Sequence, residues 1–216
     1  MGRFGAHADE RGGGSAVAPR DTMGRARASS SVDRALPSGG RSRGFESLLA
    51  RLQLAIISDT HMPKGPRALP EACLARLRTA DAILHAGDFV ALDVLELLES
   101  LGPPLHAVHG NVDEPAVALR LPAVRVVQLQ GVRIVLTHDG GAAAGRLARL
   151  RRRFADADAV VFGHSHIPLY EQGDGFQILN PGSPTERRRA PAHTMALATV
   201  SDGRLEFELV QLDRPS

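Results

Sequence analysis

Five short polar clusters each close an apolar run in this chain: Asp59-Thr60-His61, Gly87-Asp88, Gly110-Asn111-Val112-Asp113, Thr137-His138-Asp139 and Gly163-His164-Ser165-His166. They contain the donors Asp59, His61, Asp88, Asn111, His138, His164 and His166. This mixed oxygen and nitrogen set has no thiolate, so it suits Mn, Fe, Co, Ni or Zn and disfavours Ca or Mg alone. Seven donors are too many for one tetrahedral ion and suit two ions that share a carboxylate. In an extended segment alternate side chains project to one side, so Asp59 and His61 are expected to reach a single ion and His164 and His166 to line one cavity. Gly87, Gly110 and Gly163 each precede a candidate ligand, where a missing Cβ lets the backbone approach a crowded centre. Singly, each cluster has a bland explanation: a Gly-Asp or Gly-Asn is more often a turn, and a strand-end histidine is more often a hydrogen-bonded structural residue. Five in order, each after a strand, outweigh it.

The elements that must position these residues follow from the apolar pattern. LQLAIIS (52–58), ADAILHA (80–86) and LHAVHG (105–110) read as buried parallel-type strands, with helical stretches at 70–78 and 91–101 between them. VRVVQLQ, Gly131 and VRIVLTH read as a hairpin-like pair, followed by a helix near 142–154 and the strand AVVFG. FQILN, TMALATV and, past Ser201-Asp202-Gly203, RLEFELVQL are three strands with no helix between them. A parallel first half and a strand-rich second half predict an α/β protein of two sheets packed face to face with helices outside. The polar clusters then fall at the C-terminal ends of strands, where α/β folds place ligand sites.

Composition narrows the function classes. The 216 residues suit one domain plus a tail, and 26 basic against 24 acidic residues leave a formal charge of +2, too weak to argue for nucleic acid. The single Cys73 rules out a disulfide within the chain, fits a reducing compartment and reads as a buried inert thiol. No apolar window is long enough to span a bilayer, and the N-terminus lacks the h-region of a secretory signal, so a soluble, cytoplasmic protein with no membrane partner is expected. Residues 1–44 are rich in Gly, Ser, Arg and Ala and cannot bury enough surface to offset chain entropy, which predicts a disordered tail or an over-long start before a domain at 52–212.

The elements SDTH (58–61), AGD (86–88), GNVD (110–113), LTHDG (136–140), GHSH (163–166) and NPGSPTE (180–186) resemble the calcineurin-like metallophosphoesterase family, and its small bacterial and archaeal phosphodiesterase branch most closely. The resemblance covers about Leu52 to Leu212 and implies a four-layer α/β/β/α sandwich of two mixed sheets flanked by helices. It implies that Asp59, His61 and His166 hold one metal, that Asn111, His138 and His164 hold the other, and that Asp88 bridges them. Two divalent ions, manganese first and Fe, Ni, Co or Zn as alternatives, would sit about 3.5–4 Å apart and hold a bridging hydroxide for in-line attack on a small phosphate ester. Asn111 is a neutral ligand and leaves net positive charge for the phosphate, to which His109, often basic in relatives, could also bind. His85 reads as structural.

Departures from the family pattern carry information. Val112 stands where many relatives have a histidine that protonates the leaving oxygen, so better leaving groups should be preferred; Asp139 stands where LTHG is usual. Arg187-Arg188-Arg189 could bind a second phosphate or a polynucleotide backbone, or form a solvated loop. The competing functions are a phosphomonoesterase, a scaffolding protein on the same fold, like the retromer subunit that resembles this branch, and a nucleic-acid-binding module acting through the Arg-rich tail. Oligomerisation is left open.

Overall fold

The computed structural model describes residues 51–213; the predicted tail at 1–44 lies outside them. The described chain runs β1 (Leu52–Ile57), α1 (Glu71–Thr79), β2 (Ala82–His85), α2 (Leu92–Glu99), β3 (Leu105–Ala107), α3 (Pro115–Arg120), β4 (Val124–Leu129), β5 (Val132–Thr137), α4 (Arg146–Arg153), β6 (Ala159–Val161), β7 (Leu169–Gly173), β8 (Phe176–Asn180), β9 (Thr194–Ser201) and β10 (Arg204–Gln211). Two five-stranded mixed sheets result, ordered β10-β9-β1-β2-β3 and β4-β5-β6-β8-β7. In the first, β1, β2 and β3 are parallel and β9 runs antiparallel to β1. In the second, β5, β6 and β8 are parallel, with β4 and β7 antiparallel at its edges.

The period-two alternation of strands explains the layering. Leu54 and Ile56 of β1 meet Ile134 and Leu136 of β5, Val161 of β6 and Leu179 of β8 in a core between the sheets. The intervening Ala55 and Ile57 face the other way, into a second core with Cys73 and Leu77 of α1 and Val94, Leu95 and Leu98 of α2. Val135, Val160 and Ile178 do the same on the far sheet, against Leu150 of α4 and Phe162. Apolar residues are needed on both faces of these strands, and so their sequences read as unbroken runs. The protein is the α/β/β/α sandwich anticipated. No helix among the described residues is long and apolar enough to cross a membrane.

Several boundaries differ from expectation for local reasons. The helix expected over 142–154 begins only at Arg146, because Gly145 has φ +65° and the carbonyls of Gly140, Ala142 and Ala144 accept hydrogen bonds from the Arg149 side chain. α3 and β7 are additional. β7 was legible: Asp174-Gly175 has both residues at positive φ, the two-residue turn that matches strand twist, and it joins β7 to β8. Cys73 is fully buried and burial pushes its thiol up to about 12, as an inert core residue requires.

Candidate metal centre

All five polar clusters meet at one end of the sandwich. The segment after β1 carries Asp59 and His61, the loop after β2 Asp88, the loop after β3 Asn111, His138 directly follows β5, and the loop after β6 carries His164 and His166. The expected reason for the Asp59–His61 and His164–His166 pairings is corrected. None of the four is extended: Asp59, His61, His164 and His166 have φ of 55°, 45°, 70° and 59°, and Asp88 has 62°. Each such conformation costs a non-glycine residue on the order of 1 kcal/mol or more, and such residues cluster where surrounding structure over-determines them. Here the Asp59 amide donates to the Gly87 carbonyl at 2.9 Å and the His61 amide to the Asp88 carbonyl at 3.0 Å. The Ser183 hydroxyl donates to the Asp59 carbonyl at 2.8 Å, and the Asn180 side chain to the Gly163 carbonyl at 2.8 Å.

The donor atoms sort into two sets. Asp59 Oδ1 lies 3.3 Å from His166 Nε2 and 3.8 Å from His61 Nε2. Asn111 Oδ1 lies 3.0 Å from His138 Nε2 and 2.9 Å from His164 Nδ1. Asp88 stands between: its Oδ2 is 3.3 Å from His61 Nε2 and 3.2 Å from His138 Nε2, while its Oδ1 accepts the Val112 amide at 3.1 Å. The geometry brings together all seven residues singled out from the sequence. It also keeps His164 and His166, two positions apart in the chain, with different sets.

The chemistry of these atoms calls for cations. His138 Nδ1 is 2.8 Å from the Ala86 carbonyl and His166 Nδ1 hydrogen-bonds the Glu186 carbonyl. A carbonyl only accepts, so each ring donates its N–H there and turns a bare Nε2 toward the cluster. Those lone pairs face carboxylate and amide oxygens, which are acceptors too. His61 Nε2 and His166 Nε2 are buried without a hydrogen-bond partner. Asp59, His61 and His166 on one side, and Asp59, Asp88 and His138 on the other, each converge closely enough to hold an ion.

Electrostatics state the same demand in protons. Burial alone would disfavour the charge on His61, but Asp59 and Asp88 outweigh it and raise the ring to about 9. His138 is also raised, burial being overcome by Asp88 and Asp59. Asp59 and Asp88 are held well below the usual carboxylate range: burial opposes this, and the contacts with His166 and His61 for Asp59, and His138 and His61 for Asp88, prevail. A cation at the centre would replace those protons.

Sequence reasoning missed the supporting residues. Glu186 salt-bridges Arg67 at 2.7 Å, approaches His61 Nδ1 at 3.8 Å, and offers its own carbonyl to His166. Asp113 accepts the amides of Gly110 at 2.7 Å, Val90 at 2.7 Å and Asp88 at 3.3 Å, stitching the Asp88 loop to the Asn111 loop. Its place at the end of the GNVD element was the available signal; Arg67 had none. His85 is fully buried, stacked on Phe89 at 3.6 Å and held neutral, pushed down to about 3 by burial, which is a structural role. Arg187 and Arg188 hydrogen-bond the carbonyls of Pro191 and His164, so two of the three loop arginines brace the backbone.

Asp59 and His166 are wholly buried, whereas Asn111 and His164 are exposed. The second set therefore opens onto a cleft of about 350 Å³, also lined by His109, Asp139 and Arg153.

Comparison with known proteins gives a consistent picture. Residues 52–203 match the calcineurin-like phosphoesterase superfamily domain. A probable metallophosphoesterase of Methanothermobacter thermautotrophicus is 32% identical over 164 residues, 75% of this chain and 94% of that protein. A Methanocaldococcus jannaschii protein named a phosphodiesterase is 24% identical, over 61% of this chain and 83% of its own. Vps29 of Entamoeba histolytica, solved with zinc, is similar with a TM-score of 0.58 and 25% identity, covering 75% of this chain and 100% of that one.

Proposed function

The chain belongs to the calcineurin-like phosphoesterase superfamily, and from that membership we propose that it is a two-metal phosphodiesterase of the cytoplasm. The observation that carries the reading is Asp88 Oδ2, set 3.3 Å from a nitrogen of one donor set and 3.2 Å from a nitrogen of the other. Asp59, His61 and His166 would hold the first ion, Asn111, His138 and His164 the second, and Asp88 both. Manganese heads the choice, with Fe, Ni, Co or Zn compatible with the same donors. When bound, the two ions supply Lewis-acid charge for the phosphoryl oxygens and activate water for in-line displacement.

The protein's own residues set the conditions. Two carboxylates offset only half the charge of two dications, and Asn111 adds none, so the centre stays attractive to a phosphodiester anion. His138 and His166 are fixed in one tautomer by the carbonyls of Ala86 and Glu186, which keeps their ligating nitrogens bare. The burial of Asp59 and His166 closes the floor of the site to water, so a phosphate ester approaches from the side of Asn111 and His164. Val112 places no acid beside Asn111, so the leaving oxygen departs without a proton from that position and esters with good leaving groups react fastest.

Mn-dependent hydrolysis of bis(p-nitrophenyl) phosphate, p-nitrophenyl phosphate and methyl p-nitrophenyl phosphate by the wild type and Asp88→Asn tests the proposal. The aryl diester should be turned over fastest and the variant should lose at least about a hundredfold. Equal activity of the variant would remove the bridging role and the mechanism with it. The likeness to Vps29 favours a scaffolding role as the second reading, which a metal-loaded protein inert toward all three esters would support.

A further inference from the structure

The cleft beside Asn111, His138 and His164 measures about 350 Å³, in the range that accepts a whole small molecule and more than one phosphoryl group needs. Part of its wall is formed by Arg153, the last residue of α4. Three of the neighbouring arginines are committed elsewhere: Arg146 to the Gly141 carbonyl, Arg149 to the carbonyls of Gly140, Ala142 and Ala144, and Arg151 to Asp174, while Arg152 is exposed and lines none of this cleft. Arg187 and Arg188, across the site, are held by carbonyls as well. Arg153 packs its guanidinium 4.9 Å from the centre of the Phe154 ring and, among the described residues, has no hydrogen bond or ion pair. Arg153 also borders a second cleft with Phe154 and Arg133, but it lines the cleft that holds Asn111 and His164 as well, and its planar set of uncommitted donors suits the oxygens of a phosphate. Asp139, the carboxylate on the wall, is turned onto the Gly141 amide at 2.7 Å.

We propose that Arg153 forms a second anion subsite, so that the substrate is a phosphodiester carrying a further phosphate on one ester arm, seated against Arg153 while the diester reacts at the centre. This rests on the phosphodiesterase reading and narrows its substrate class. A bare diester fills the reaction centre and leaves the Arg153 end of the cleft in water. A nucleotide diester with a second phosphate occupies both.

The test compares thymidine 5′-(p-nitrophenyl phosphate) with and without a 3′-phosphate, using Mn-loaded wild type, Arg153→Gln, Arg153→Lys and Arg152→Gln. Arg152 is exposed, lines none of this cleft and carries the same charge, so its variant reports the general field alone. Wild type should favour the 3′-phosphorylated ester in kcat/KM by about fivefold, the scale of one partly exposed charge contact. Arg153→Gln should bring the ratio close to one, Arg153→Lys should keep part of it, and Arg152→Gln all of it. A wild type without preference, a preference that survives Arg153→Gln, or an equal loss in Arg152→Gln would overturn the subsite. If wild type hydrolyses neither ester, the catalytic reading fails, and calorimetric binding of thymidine 3′,5′-bisphosphate against thymidine 5′-phosphate to the same proteins decides the subsite. A bisphosphate preference lost only in Arg153→Gln upholds it, and any other pattern rejects it.

Discussion

Gly110→Ala isolates the packing that places the shared carboxylate. Gly110 is not in the left-handed region, so alanine adds no backbone strain there. The added Cβ, however, would fall 1.9 Å from Asp88 Oδ1, 2.7 Å from Asp88 Cγ and 2.5 Å from the Asp88 amide nitrogen. Ordinary contact requires a retreat of about 1.5 Å, while metal ligands tolerate errors of only about 0.2 Å. The retreat also breaks the 3.1 Å hydrogen bond from Val112 N–H to Asp88 Oδ1. Overpacking of this kind costs about 1–3 kcal/mol, and loss of a hydrogen bond to a charged group falls in the same range. The metal-free variant should therefore unfold at lower urea by an amount equivalent to about 2 kcal/mol, and should bind less than two equivalents of Mn by elemental analysis after dialysis. Gly145→Ala is the comparison: its Cβ meets nothing within 4 Å, but φ is +65°, so it should lose similar stability by backbone strain and keep full metal content. Wild-type metal content and esterase activity in Gly110→Ala would refute the argument that Asp88 is held in place by the missing Cβ.

Two further outcomes follow from the same geometry. Glu186→Gln keeps the carbonyl that serves His166 but removes the charge facing Arg67 and His61, so affinity for one Mn equivalent should fall by about 10–100-fold with the other retained; calorimetry showing both within twofold of wild type would reject the link. Metal-free protein should be most stable near pH 6.5. His61, raised to about 9, contributes fully below its ordinary value near 6.5 and loses that contribution as pH climbs to about 9; His85, lowered to about 3, works against the fold as pH falls from 6.5 toward 3, because only the unfolded chain then takes up its proton. Urea midpoints in EDTA at pH 5, 6.5 and 9 should trace that maximum, and a midpoint that rises from pH 6.5 to 9 would contradict it.

Much of the candidate centre was visible in the chain because its candidate donors are local events. Asp59, Asp88, Asn111, His138 and the His164–His166 pair each end an apolar run, and a run that must be apolar on both faces announces a strand inside a sandwich. The short amphipathic α3 carries too few apolar positions to register, since of its six residues only Val117 is buried. β7 is an edge strand with mostly exposed side chains, so only its turn betrays it.

Sequence alone determined which residue types gather at the strand ends, because donor chemistry is written in each side chain. The reason His61 pairs with Asp59 lay beyond it: those residues reach each other through left-handed backbone, and the Asp59 carbonyl is held by the hydroxyl of Ser183, 124 positions away. Glu186 behind His61, the tautomers set by the carbonyls of Ala86 and Glu186, and the place of Arg153 in the lining of the cleft beside Asn111 and His164 were likewise decided by tertiary structure. Each depends on which loops the two packed sheets bring to one edge, and contact between distant segments leaves no periodicity in the chain to read.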